Sequence, residues 1–356
     1  MKIAFTADCH LTKSDNYPQR YQAFENILDQ MLERGIEILV VAGDLFDKGM
    51  TNYADFDKLC KKQKYKKLQI HILPGNHDPD LESGHFSSKN LHVHTEPGFL
   101  AIENGEIPFL MIPYRADKTM GECIEPFREQ LQPRQWILVG HGDYTSGMRI
   151  RNPYEQGFYM PLTAQDIDRY QPLRCFLGHI HVPSDLDRVR YPGSPCGMNI
   201  NEIGLRYFLV YDSGLDEIEP VLVDTPIVYF NERLLVLPVE DEKNYIEARI
   251  QECIEAWDLP SGWDGKVRVR VRAEGYCRDV RALEEHIRGA FSAYTFNSDE
   301  DPDISAVHLS DDLERQHIAR QVQDKLQELE WPATDDEPDR NSIMLAALET
   351  IYGGGK

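Results

Sequence analysis

The run Gln69-Ile70-His71-Ile72-Leu73, continued by Pro74-Gly75-Asn76-His77-Asp78, is where the organisation of this chain first becomes visible. Its first five residues form an apolar stretch of the length of a short buried strand. The next five make a tight loop that presents an amide, an imidazole and a carboxylate in succession. Asn offers an oxygen ligand, His a ligand or a proton donor, and Asp a ligand or an orienting group. A single Gly-Asn turn is ordinary in surface loops, so its meaning depends on what the other strand ends carry.

Four others carry matching chemistry. Residues 2–7 read as a strand ending in Asp8-Cys9-His10. Spacing by two puts Asp8 and His10 on one side of extended backbone and turns Cys9 into the fold. Residues 36–41 are apolar but for Glu37, close to the pattern of a strand buried on both faces, and lead to Gly43-Asp44-Leu45-Phe46-Asp47. Residues 136–139 end in Gly140-His141-Gly142-Asp143, and residues 174–177 in Gly178-His179-Ile180-His181. Between the first strands, 21–34 places Phe24, Ile27, Leu28 and Met31 at helical spacing with Gly35 as a C-terminal stop, and 53–67 reads as a second helix. Strand–helix alternation with polar strand ends predicts an α/β fold whose ligands bind at the carboxyl ends of the strands. Residues 91–114 read as β-rich around a turn at 103–106, and 207–211 and 221–223 as closing strands.

The strand ends supply enough ligands for two metal ions bridged by one carboxylate. Asp8, His10, Asp44 and His181 fit one ion, and Asp44, Asn76, His141 and His179 the other. Nitrogen and oxygen donors without thiolate suit Mn²⁺ or Fe²⁺, with Zn²⁺ or Co²⁺ as alternatives. His71, His85, His92 and His94 read as structural.

At 356 residues the chain has room for one large domain and a smaller one. It carries 60 acidic and 38 basic side chains, a net charge of −22 that on its face opposes nucleic-acid binding. Its seven cysteines form no C-x-x-C pair, which predicts a reducing cytoplasm rather than a disulfide framework. The N-terminus lacks a signal-peptide pattern, and no apolar run approaches a membrane span. The first domain is expected over residues 1–230. After it, 240–257 reads as an acidic helix, and 266–272 alternates strictly between valine and Lys266, Arg268, Arg270 and Arg272. As a strand this has one apolar and one wholly basic face, able to follow phosphates along a nucleic-acid backbone. Helices at 279–291 and 311–330 complete a small α+β domain over 231–330. An acidic linker and a short helix at 342–352 fill 331–356. Lys61, Lys62, Lys64, Lys66 and Lys67 read as a solvated helix end.

The ordered set D-x-H, G-D-x-x-D, G-N-H-D, G-H and G-H-x-H resembles the signature of the calcineurin-like metallophosphoesterases. Phe176-Leu177-Gly178-His179-Ile180-His181, followed by Tyr191-Pro192-Gly193-Ser194-Pro195, is similar to the SbcD and Mre-type double-strand-break nuclease subunits. The motif resemblance spans roughly 1–212, and beyond 230 it is one of layout. It implies a two-sheet sandwich flanked by helices with a small α+β capping domain behind it. It also implies the ligand roles above, and His77 as the catalytic proton donor to the leaving oxygen. Asp47 would orient His77, while Asp78 braces the loop. The residues after His141, including Tyr144, Arg149 and Arg151, depart from the family pattern and could shape the substrate mouth. The implied activity is Mn²⁺-dependent exo- and endonucleolytic cleavage of DNA in repair or recombination. The implied partners are an SMC-like ATPase of the SbcC type, held through the C-terminal helix, and a second copy of the chain. The alternatives are a stand-alone phosphodiesterase or phosphatase acting on small esters, and a largely structural subunit of a repair complex.

Overall fold

The computed structural model describes every residue except 51, 101–106, 133, 147–156, 240, 311, 330–338 and 354–356, together with the side chains of 313 and 314. The turn at 103–106, Arg149 and Arg151, and most of the linker therefore lie outside the described residues. Two compact units emerge: Met1–Met198 with Leu205–Ile227, and Asn199–Gly204 with Val228–Lys356.

In the first unit, β1 (Lys2–Thr6), β2 (Ile38–Ala42), β3 (Gln69–Leu73) and β4 (Leu91–Val93) pair in parallel in that order. The chain then builds a second sheet from β5 (Gly98–Leu100), β6 (Phe109–Ile112) and β7 (Ile137–His141). A short ribbon of β8 (Tyr144–Thr145) and β9 (Leu162–Thr163) follows, and β10 (Arg174–Gly178), β11 (Ser184–Leu186) and β12 (Val189–Tyr191) complete the second sheet in the order β11-β12-β10-β7-β6-β5. The chain finally returns to the first sheet with β13 (Tyr207–Asp212), antiparallel to β1, and β14 (Glu217–Leu222).

Alternation along each strand sorts the core into layers. Ile3 and Phe5 of β1, Val40 of β2, Ile137 and Val139 of β7 and Phe176 of β10 form one cluster, with Phe5 stacked on Phe176 at 3.9 Å. The intervening residues face the other way. Ala4, Leu39, Val41, Ile70 and Ile72 pack with Phe24, Ile27, Leu28 and Met31 of α1 (Pro18–Glu33) and Phe56 of α2 (Ala54–Cys60). Leu110, Leu138, Cys175 and Leu177 pack with Met120 of α3 (Met120–Ile124), Leu131 of α4 (Arg128–Leu131) and Ile167 of α5 (Ala164–Tyr170). The result is the expected sandwich of two sheets with helices on both outer faces. α1 begins with Pro18, pre-set for a first turn, and stops before Gly35 at φ +65°.

The helix read over 53–67 is shorter than expected. α2 ends at Cys60, and a single 3₁₀ turn over Gln63–Tyr65 follows. That turn carries the Tyr65 ring into the core while its hydroxyl donates to Asp29 (2.7 Å) and Glu25 (3.1 Å), a tertiary demand that overrides helix propensity.

The second unit contains β15 (Val228–Val236), α6 (Glu242–Ala256), β16 (Val267–Cys277), α7 (Val280–Ala290), β17 (Thr295–Phe296), β18 (Asp303–Leu309), α8 (Leu313–Glu328) and α9 (Arg340–Gly353). The expected α+β region is thus present, and its sheet is parallel throughout, with β15 on one side of β16 and β17 and β18 on the other. Val267, Val269 and Val271 are buried as the alternation predicts. On the basic face, Arg270 is gripped by Glu300 through two 2.9 Å bonds, and Arg272 lies 3.9 Å from Asp303. Arg268 donates to the carbonyls of Gly265 and Val267, and Lys266 sits over the Trp263 ring. The helix expected as a partner-binding tail, α9, buries Met344 and Leu348 against Leu237 and Ala319 of its own unit.

A candidate metal centre at five strand ends

The loops after β1 and β2 run side by side past the strands proper. Asp8 donates its N–H to the Gly43 carbonyl (3.1 Å), His10 to Asp44 (3.0 Å) and Leu11 to Leu45 (2.8 Å). Asp8, His10, Asp44 and His179 all adopt left-handed backbone, with φ of +53°, +44°, +50° and +97°. For non-glycine residues each such conformation costs on the order of 1–3 kcal/mol, and strained residues of this kind cluster at active sites and ligand clamps. The glycines beside them are there for space. A Cβ at Gly75 would run into the Asp44 carboxylate, and one at Gly43 into the His141 ring.

The side chains from these five ends converge. His10 Nε2 and His181 Nε2 face each other at 3.1 Å, and His10 Nε2 lies 3.7 Å from Asp44 Oδ2. His141 Nε2 lies 3.4 Å from Asp44 Oδ2 and 2.8 Å from Asn76 Oδ1, which is also 3.2 Å from His179 Nδ1. Asp44 therefore stands between two sets of donors. Among the described residues, three overlapping groups could hold an ion: Asp8, His10 and His181; Asp8, Asp44 and His141; and His10, Asp44 and His77. The His141 ring is aimed by its Nδ1–H, which donates to the Ala42 carbonyl at 2.9 Å and leaves Nε2 toward the cluster. Asp8 accepts from the His179 N–H at 2.9 Å through Oδ1, while its Oδ2 is buried with no hydrogen-bond partner. An orphaned carboxylate oxygen and opposed imidazole nitrogens are what a cation would satisfy, so the residues fit a bound metal pair.

His77, itself in the third of these groups, is held at two points. Its N–H donates to Asp44 Oδ1 (2.8 Å), and its Nδ1 is 3.1 Å from Asp47 Oδ1. Asp78 takes N–H donors from Gly75 (2.7 Å) and Phe46 (3.0 Å), so it ties the loop to the β2 end. Cys9 is buried in the apolar cluster under the first sheet.

Charge in the site is strongly coupled. Burial alone would raise Asp44, but His141, His10 and His77 outweigh it and hold the carboxyl far below its usual range. His141 is conversely lifted to about 9, since the Asp44 carboxylate beside it overcomes the effect of burial. Asp47 is held very low by its bonds to His10 and His77. Burial, followed by the nearby Asp44 charge, pushes Asp78 up to about 7, which suits a brace more than a ligand.

Three neighbours were not anticipated. Arg20, on α1, is 7% exposed and donates to the His10 carbonyl at 2.5 Å. Asp143 is buried with Oδ1 3.9 Å from His179 Nε2, and the Tyr159 ring lies 4.7 Å from that of His179. Asp143 was visible in Gly140-His141-Gly142-Asp143, whereas nothing in local sequence marks Arg20. The remaining predicted residues, Lys266, Arg268, Arg270 and Arg272, belong to the second unit. His71, His92 and His94 form their own stack, with His71 Nδ1 and His94 Nε2 3.0 Å apart. His85 stacks on Tyr53. Of the lysine cluster, Lys61, Lys62 and Lys64 are paired with Asp57, Glu25 and Asp29.

A family model described as calcineurin-like phosphoesterase matches residues 1–183. Among solved structures, a novel archaeal phosphodiesterase is similar at 13% identity, covering 62% of this chain and 99% of its own, with a TM-score of 0.34. A protein of Thermus thermophilus is 15% identical over 62% of this chain and 98% of its own, with a TM-score of 0.40. A conserved uncharacterized protein of Streptococcus pneumoniae, described as a predicted phosphoesterase, is 15% identical over 64% of this chain and 92% of its own, with a TM-score of 0.29.

Proposed function

Since the chain belongs to the calcineurin-like phosphoesterases, we propose that it hydrolyses phosphodiesters, with two divalent cations held by Asp8, His10, Asp44, Asn76, His141, His179 and His181. The observation that carries this reading is the convergence of these side chains from five strand ends, with His10 and His141 on the buried Asp44 carboxylate, His181 against His10, and Asn76 between His141 and His179. When bound, such a metal pair neutralises a phosphate and lowers the pKa of water. The chain's own residues do the rest. Asp44 and Asn76 fix the spacing of the two ligand sets, and Ala42 fixes the His141 tautomer. Asp47 fixes His77 through Nδ1, so that the proton carried at Nε2 is the one delivered. A bond forms from water oxygen to phosphorus, the bond from phosphorus to the leaving oxygen breaks, and that oxygen takes the His77 proton. The attacking water loses its proton to solvent, and His77 is reprotonated from solvent.

The finer reading is a Mn²⁺-dependent DNA nuclease subunit of the SbcD and Mre-type kind, cytoplasmic and dimeric, working with an SMC-like ATPase engaged through α9. What supports it is the basic face of β16, in a separate unit that follows the catalytic one along the chain. The pairing of Arg270 with Glu300, and of Lys61, Lys62 and Lys64 with acids, favours a second reading in which the substrate is a small diester. Mn²⁺-dependent hydrolysis of linear double-stranded DNA and of bis-p-nitrophenyl phosphate separates the two. Cleavage of both, with Arg268→Glu/Arg270→Glu losing only the DNA activity, supports the nuclease. Generic hydrolysis without DNA cleavage, even with the ATPase present, leaves the small-ester enzyme.

A further inference from the structure

A buried arginine far from any strand end is the least expected group near the site. Arg20 lies in the first turn of α1, is 7% exposed, and stacks its guanidinium over the Tyr17 ring at 4.3 Å. Its Nη1 donates to the His10 carbonyl at 2.5 Å and lies 3.7 Å from Asp47 Oδ2. Asp47 is thus shared. One oxygen faces Arg20, and the other accepts from the Lys48 N–H (2.8 Å) and lies 3.1 Å from His77 Nδ1 and 3.8 Å from His10 Nδ1. The His10 and His77 rings meet edge to face at 4.5 Å. Burying a guanidinium is costly unless it is paired, and the pairing found here runs through one carboxylate to the proposed proton donor.

Resting on the reading of His77 as that donor, we propose that Arg20 is a positioning residue for the proton-transfer step, clamping the Asp47 carboxylate and the His10 backbone so that His77 points at the leaving oxygen. Both contacts are made by the one nitrogen, Nη1, a hydrogen bond to the carbonyl and an ion pair to the carboxylate, so an ammonium that reaches the same place can keep part of them. Without it Asp47 keeps only the Lys48 N–H and the histidines, and the His77 ring gains freedom to turn. Rate then falls in proportion to how much the leaving group needs protonation. A p-nitrophenolate departs unaided, whereas a phenolate or an alkoxide does not.

The test uses the full chain loaded with Mn²⁺, and compares Arg20→Met, Arg20→Lys, His77→Ala and the Arg20→Met/His77→Ala pair on bis-p-nitrophenyl phosphate and diphenyl phosphate. General acid–base catalysis contributes about 100- to 10,000-fold, so a partial loss of its alignment in Arg20→Met should cost about 10- to 100-fold in kcat on diphenyl phosphate with KM within about 2-fold. On bis-p-nitrophenyl phosphate its kcat should change by less than about 3-fold. Arg20→Lys should recover part of the loss, the double variant should be no worse than His77→Ala, and bound metal per chain should be unchanged in Arg20→Met. Equal losses on both esters, loss of metal, or additivity with His77→Ala would each overturn the assignment and make Arg20 a brace of the His10 loop. The two readings fail separately. A His77→Ala variant that loses both esters equally removes His77 as donor and the Arg20 role with it, while a selective His77→Ala beside an unselective Arg20→Met removes only the latter.

Discussion

The stack of His71 on β3 with His92 on β4 and His94 just beyond it makes the first sheet acid-sensitive through groups outside the proposed ligand set. Burial, then the neighbouring His94 and His92, lower the pKa of His71 to about 3, and burial lowers His94 as well. Above the unfolded value of about 6.5 neither the closed nor the opened form of His71 is charged, and the full stability is present. As the pH falls below that value the opened strand takes the proton first, so stability drains away until the folded imidazole itself titrates near 3. At about 1.4 kcal/mol per pH unit, the fall to about pH 5 removes about 2 kcal/mol from the opening free energy around His71, or about 30-fold in hydrogen-exchange protection. His71→Phe keeps a ring in the stack and removes the titration. Exchange of peptides covering 69–73 and 91–94, corrected for intrinsic rates at about pH 7.5 and about pH 5, should show the loss in the native chain and most of it abolished in the variant. Identical pH dependence in the two proteins would refute the assignment to His71. Because β3 leads into Gly75-Asn76-His77, the same drop should loosen the catalytic loop in acid.

Other perturbations have equally definite outcomes. Phe176→Ala removes a ring stacked between sheets and should cost about 3–5 kcal/mol in denaturant titration, with the first unit affected and the second unchanged. Gly75→Ala drives a methyl into Asp44 and should abolish Mn²⁺ binding by calorimetry even where the far-ultraviolet spectrum is native. Adding Mn²⁺ at about 100 times its Kd should raise the stability of the first unit by about 2.7 kcal/mol for each ion bound, an increment that a chelator removes and that Asp8→Asn reduces. Deleting 340–356 strips Leu348 and Met344 from the second unit, so its melting temperature should fall whether or not a partner uses the helix.

The catalytic half of this chain was readable because parallel strands buried on both faces are written as unbroken apolar runs, such as Ile38–Ala42, and the residues after them are the ones that need comment. Asp8 and His10 were legible as a D-x-H pair after a strand, although the extended backbone assumed for them is replaced by left-handed turns at both residues. Arg20 was not, because one arginine among polar helix residues carries no local mark, and only the tertiary approach of α1 to the His10 loop gives it a partner. The same limit applies to 61–67. A helix-favouring run was broken to bury Tyr65; the lysines around it are exposed, as their pattern predicts, but nothing local showed that Lys61, Lys62 and Lys64 also reach Asp57, Glu25 and Asp29. The basic face of β16 was legible as a pattern, but the pairing of Arg270 with Glu300, thirty residues on, was not.

The place of β1 within its sheet carries a consequence for how the protein is made. Its two neighbours are β2, which follows within 40 residues, and β13, which begins at Tyr207. At synthesis rates of about 5–20 residues per second, β1 therefore leaves the ribosome about 10–40 s before the strand that covers its open edge. Through that interval a flat apolar strand, Ile3-Ala4-Phe5, presents unpaired N–H and C=O groups. Nascent chains that stall or terminate before 207 should be the aggregation-prone products of this gene, and a chaperone's demand on this protein is set by the late return of β13.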